Sequence, residues 1–210
     1  MNKKIIIIVI CLITLIGLGI FIINSKSNKE NKNSNSTTNT ENTNEKTTDG
    51  SSNKENKIAI IYFSATGTTK TVAQIISEET NGELIEIVPK EKYTSEDLNW
   101  NNSKSRTSVE CNDPKSRPEI ESTLDIENYD TIYLGYPIWW GDVPHIILTF
   151  LDTYKLDGKT VIPFCTSGGT GITASQNTLK NYNKNINWKD GKRLSTSESE
   201  IKNWINTLNN

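Results

Sequence analysis

Cysteine and histidine are scarce in this chain, with three cysteines and one histidine in 210 residues. Three cysteines, one of them inside an apolar run, exclude a disulfide-built miniprotein. Nothing has metal-ligand spacing, since His145 stands alone and Cys111 and Cys165 lie far apart in the chain. An excess of one charge is also missing. Lys and Arg number 23 against 25 Asp and Glu, a net −2, so the chain as a whole lacks the basic footprint of a nucleic-acid binder.

What is present falls into three unlike pieces. Residues 5–23 are apolar except for Thr14, Gly17 and Gly19, and Lys3 and Lys4 precede them. Nineteen helical residues rise about 28 Å, close to the roughly 30 Å hydrocarbon core of a bilayer. The run predicts an uncleaved signal-anchor over 1–23, with the N-terminus inside and the rest exported. A cleaved signal peptide is the competing reading, with Ser25-Lys26-Ser27 as a weak cleavage site. Residues 24–56 follow, 22 of the 33 being Asn, Ser or Thr, with no apolar side chain among them. Having nothing to bury, this stretch is expected to be a disordered linker, averaging roughly 30–35 Å end to end. Residues 57–210 carry sixteen basic and twenty acidic side chains. They are numerous enough to bury roughly two thirds of their unfolded surface in one core.

Within that region, strand and helix patterns alternate. Lys57–Phe63, Glu83–Val88, Thr131–Tyr136 and Lys159–Cys165 read as strands, the first, third and fourth being near-continuous apolar runs. A weaker fifth strand is expected near Ile186–Leu194. Helices are expected over Thr69–Thr80, around Ser95–Ser108, after Pro144, over Ile172–Tyr182 and over Glu198–Leu208. This alternation predicts an α/β fold, a doubly wound parallel sheet with helices on both faces.

In open α/β sheets ligands bind beyond the carboxyl ends of the strands, so the loops there are the candidates. After the first strand, Ser64-Ala65-Thr66-Gly67-Thr68-Thr69 places four hydroxyls and a glycine at a helix N-terminus. Outward N–H groups and the helix dipole make that an anion cradle, or otherwise an ordinary helix cap. It is neither the G-x-x-x-x-G-K-S/T loop of triphosphatases nor the G-x-G-x-x-G of dinucleotide folds. After the third strand comes Tyr136-Pro137-Ile138-Trp139-Trp140-Gly141-Asp142, whose adjacent indoles would be covered by a flat aromatic ligand. After the fourth comes Thr166-Ser167-Gly168-Gly169-Thr170-Gly171, whose glycines permit positive φ and close backbone approach.

With these three loops, residues 57–208 resemble a flavodoxin-like FMN-binding domain, in the branch reading G-Y-P-I-W-W-G and T-S-G-G-T-G. The resemblance implies a five-stranded sheet of order 2-1-3-4-5. It implies that Ser64, Thr66, Gly67, Thr68 and Thr69, with Ala65 between them, hold the FMN phosphate. Pro137, Ile138, Trp139, Trp140 and Gly141 would flank the isoalloxazine, with Trp139 or Trp140 against a ring face. Thr166, Ser167, Gly168, Gly169 and Gly171 would line the opposite side. Gly141-Asp142 is similar to the family's turn beside flavin N5, where a peptide carbonyl can rotate. One departure is visible: many small flavodoxins carry an aromatic ring in the third loop, and Thr166–Gly171 has none.

His145 is expected at a helix end, the alternative being a proton donor at the flavin edge. Cys111 and Cys165 are expected to be free thiols, the alternative in an exported protein being a disulfide between them. Tyr93, Trp100 and Arg106 either pack the polar insert or meet a substrate or partner. The function favoured is an FMN electron-transfer protein tethered to the membrane by its N-terminal helix. Its partners would be redox proteins, or a quinone or other small-molecule acceptor. No NAD(P)H motif and no catalytic acid or base is evident, which weighs against an FMN-dependent NAD(P)H:quinone or flavin reductase. The intact loops weigh against a flavin-free interaction module.

Overall fold

The computed structural model describes residues 56–208. The expected anchor at 1–23, and the linker up to residue 55, lie outside the described residues. Among the described residues no helix is long and apolar enough to cross a membrane.

The chain runs β1 (Ile58–Tyr62), α1 (Thr68–Thr80), β2 (Glu83–Glu86), α2 (Arg106–Asn112), β3 (Thr131–Pro137) and α3 (His145–Thr153). It continues through β4 (Thr160–Thr166), α4 (Thr173–Tyr182), β5 (Asn187–Trp188), β6 (Lys192–Arg193) and α5 (Glu198–Leu208). All strand pairs are parallel, in the order β2-β1-β3-β4-β5, with β6 also on β4. This is the 2-1-3-4-5 order expected.

Alternation along the strands builds two core layers, because successive side chains point to opposite sheet faces. Ala59, Ile61 and Phe63 join Ile132, Leu134 and Tyr136 on one face, with Ile147 and Phe150 of α3 and Leu179 of α4. Ile60 and Tyr62 join Tyr133, Ile162 and Phe164 on the other, with Val72, Ala73 and Ile76 of α1 and Ile201, Trp204 and Ile205 of α5. The central strands are therefore covered on both faces, as their apolar runs require.

The fifth strand is split. β5 matches Thr160 and Val161 of β4, β6 matches Phe164 and Cys165, and residues 189–191 interrupt them. The cause lies in β4. The carbonyls of Val161 and Cys165 accept from the N–H groups of Lys189 (2.9 Å) and Leu194 (2.8 Å), so the alternate residue Pro163 faces the same edge. Proline has no N–H to offer there, and the ladder breaks opposite it.

The helix expected around Ser95–Ser108 is corrected to turns followed by the short α2. Ser105 caps α2 by accepting from the Ser108 N–H. Before it, Asn99 and Asn102 accept through Oδ1 from the N–H groups of Asn101 (3.1 Å) and Lys104 (3.0 Å). Asparagine side chains compete with helical hydrogen bonds in this way, and they win here.

Candidate functional site

The carboxyl ends of β1, β3 and β4 surround a cleft of about 950 Å³. That is near the upper end of the roughly 300–1,000 Å³ typical of small-molecule sites.

Its floor at β1 is the start of α1. Gly67 occupies the N-cap position at φ +90°, a left-handed conformation that glycine adopts without steric cost. The Gly67 N–H donates to Ser64 Oγ (3.1 Å), and the Gly67 carbonyl accepts from the Thr71 N–H (3.0 Å). No side chain caps the helix and no acidic residue lies in its first turn, so the positive end of the dipole opens without a competing anion. Lys70, the nearest cation in sequence, is directed to Glu86 (3.2 Å). The cradle thus consists of neutral donors.

Thr66 and Thr68 are exposed, whereas Thr69 is buried and its hydroxyl shares a 2.8 Å hydrogen bond with that of Thr166. This link ties the first turn of α1 to the end of β4.

After β3, Trp139 and Asp142 exchange two backbone hydrogen bonds, 3.0 and 2.9 Å, across Trp140 and Gly141. Those two central residues sit at φ +48° and +83°, as in a type I′ turn. Positive φ at a tryptophan is strained, and it leaves Trp140 47% exposed in the cleft. Trp139 instead packs edge-to-face with Phe63 (5.4 Å) and Tyr93 (5.1 Å). Of the two indoles weighed as a ring face, Trp140 is the freer one.

Thirteen of the sixteen sequence-predicted residues line this one cleft: Ala65, Thr66, Thr68, Thr69, Pro137–Gly141 and Thr166–Gly169. Ser64, Gly67 and Gly171 are not among its lining residues. The third-loop glycines permit positive φ and close backbone approach, and Gly168, Gly169 and Gly171 do not use the first of these. A Cβ at any of the three would meet nothing within 4 Å, so their open side is the feature that remains.

Sequence reasoning missed Leu98, Thr107 and Leu194–Thr196, which complete the lining with Trp100 and Thr170. Leu194–Thr196 follows the fifth strand and escaped because that strand is polar and broken. None of the lining residues is charged or carries an imidazole, carboxyl, thiol or phenol.

The remaining candidates are structural. Tyr93 donates to Glu110 (2.8 Å), and Arg106 lies 4.1 Å over its ring while binding the same carboxylate (2.7 Å). Cys111 and Cys165 are free, with burial pushing their thiols up to about 11 and about 12, so neither is a thiolate near neutrality. His145 starts α3 away from the cleft lining, and its Nδ1 is buried without a hydrogen-bond partner among the described residues. Burial, and then the Arg117 charge, hold its pKa below the usual 6.5.

A histidine depressed in the fold binds its proton more readily when unfolded, so its effect on stability is absent above the unfolded pKa and unfavourable below it. The chain is therefore expected to lose stability as pH falls through the unfolded value of about 6.5 and on through the lower folded one. Because His145 is the only histidine, His145→Gln should remove this slope between pH 7 and 5 in denaturant titrations. An unchanged slope would assign it to other groups.

The flavodoxin family model matches residues 57–208. The chain belongs to the flavodoxin family. Crystal structures of candidate flavoproteins from Bacteroides uniformis and Bacteroides eggerthii are 45% and 47% identical to this flavodoxin chain. They cover 72% and 73% of it, with 98% of each relative covered and TM-scores of 0.71 and 0.68. A Lactobacillus acidophilus flavoprotein, crystallised in complex with FMN, is 28% identical over 71% of this chain and 99% of its own, at a TM-score of 0.56. No curated protein sequence matches.

Proposed function

We propose that this chain binds FMN in the cleft and works as an electron-transfer protein held at a membrane by residues 5–23. The observation that carries the redox reading is the lining itself, made of hydroxyls, glycines and tryptophans with no charged or acid–base side chain. Such a site can bind and shield a redox group, and its lining side chains offer no general acid or base to a substrate. That favours a carrier over a reductase. The FMN complex of the Lactobacillus acidophilus flavoprotein supports the cofactor.

The residues fit FMN. The uncapped start of α1, free of acidic groups, suits a terminal phosphate, with Thr66 and Thr68 adding hydroxyl donors. Trp140 offers an aromatic face, and Ser167–Gly169 offers backbone that a ring edge can approach. FMN supplies one- or two-electron transfer. The protein binds it, orients it and limits its contact with water. The apolar run at 5–23 and the polar linker to residue 56 support a tether on the extracytoplasmic side, from which the cleft reaches a membrane or soluble redox partner, or a quinone.

The purified full chain is expected to take up one FMN and to leave FAD unbound. A colourless chain that fails to quench FMN fluorescence would overturn the cofactor. Protease added to intact cells should cut within 24–56 and release the domain. Full protection would reverse the orientation, and a mature chain starting near residue 28 would remove the tether while leaving FMN binding intact.

A further inference from the structure

A flat ring in this cleft has one free aromatic face among the loops that follow the strands. Trp139 is engaged by Phe63 and Tyr93, and the loop after β4 holds no aromatic residue. Trp140 alone remains. A second indole reaches the cleft from elsewhere: Trp100, in the turns between β2 and α2, lines it and is 73% exposed. Tyr93 and Arg106 of the same insert are used in packing, but Trp100 has no ring partner or hydrogen bond among the described residues.

The segment that carries Trp100 is tied down. Asn102 donates from its N–H to the Asn99 carbonyl (3.0 Å), and its own carbonyl accepts from the Ser108 hydroxyl (2.8 Å). The Thr107 hydroxyl donates to the Asp97 carbonyl (2.6 Å), and Thr107 and Ser108 are each 1% exposed. An indole with a surface on the order of 150–250 Å² is thus held in water beside a cleft by a loop with little freedom to bury it. Held in that position, it is suited to an incoming planar ligand.

We propose that Trp100 is a second aromatic wall of the flavin site, contacting the isoalloxazine from the insert and supplying the ring that the loop after β4 lacks. The inference rests on the FMN reading of the cleft.

Full-length Trp100→Ala and Trp100→Phe chains test it, with FMN and riboflavin binding followed by flavin fluorescence and unfolding of the ligand-free chains followed by circular dichroism. Trp100→Ala should weaken FMN and riboflavin by the same factor, about 5- to 150-fold, the range set by aromatic stacking. Trp100→Phe should restore most of it, and the melting of both ligand-free variants should match the parent. Equal loss for the two flavins marks a contact to the ring and not to the phosphate. Binding of both flavins within twofold of the parent in Trp100→Ala would overturn the proposal. So would a loss that Trp100→Phe fails to rescue and that comes with a lowered melting temperature, which would make Trp100 a structural residue. A parent chain that binds neither flavin would instead remove the FMN reading itself.

Discussion

Replacing Thr66 and Thr68 together by valine is expected to weaken FMN by about two to four orders of magnitude while leaving riboflavin nearly unchanged. Both side chains are exposed at the start of α1, and neither hydroxyl has a hydrogen-bond partner among the described residues. Their removal leaves the fold without a loss to absorb, since exposed substitutions usually change stability by less than about 0.5 kcal/mol. What is lost is two donors to a charged phosphate. Each such bond contributes about 1.5–3 kcal/mol, and every 1.4 kcal/mol is about tenfold in affinity. Thr69 is a poor substitute, because its buried hydroxyl is engaged with Thr166. Titration of both flavins with the double variant checks this. Equal weakening of FMN and riboflavin would show that the two hydroxyls do not reach the phosphate.

The largest effect on stability is expected from Gly191→Ala. A Cβ at this position would stand 2.3 Å from the Pro163 carbonyl oxygen and 2.8 Å from Ile172 Cδ1. The nearer atom is main chain of β4, a strand fixed on its other side by β3 along its whole length. The strain cannot be relieved by turning a side chain, so the sheet edge must shift. Overpacking of this kind costs about 1–3 kcal/mol or more, and a chain of this size loses about 2–4 °C in melting temperature per kcal/mol. Gly168→Ala is the control, since its added methyl group meets nothing within 4 Å. A Gly191→Ala chain that melts with the parent would show that this edge is more pliable than its contacts imply.

How much of this was legible in the sequence depended on whether local pattern or distant contact decided each element. β1, β3 and β4 announce themselves because strands covered on both faces must be apolar throughout. α5 repeats Ile201, Trp204 and Ile205 at helical spacing and was readable to its ends. The strand-end rule led to three loops, and most of their candidate residues share one cleft. Where long-range contact decides, local pattern is silent. Nothing local to Asn187–Arg193 tells of Pro163 in the neighbouring strand, which decides where that edge is broken. The Asn-rich stretch before α2 has enough helix formers to look helical, yet its own side chains take the backbone hydrogen bonds. Trp100 could be noticed as an indole in a polar stretch, but only the folded insert brings it to the cleft.

The buried Thr69–Thr166 link and the paired backbone of Trp139 and Asp142 have a consequence for the life of the protein. The first turn of α1 and the turn after β3, which both shape the cleft, are held by bonds within the protein itself. Preorganisation of that kind spares the ligand the entropic cost of ordering the walls as it arrives. On the FMN reading of the cleft, cofactor loading is therefore expected to require an encounter and no refolding of these segments.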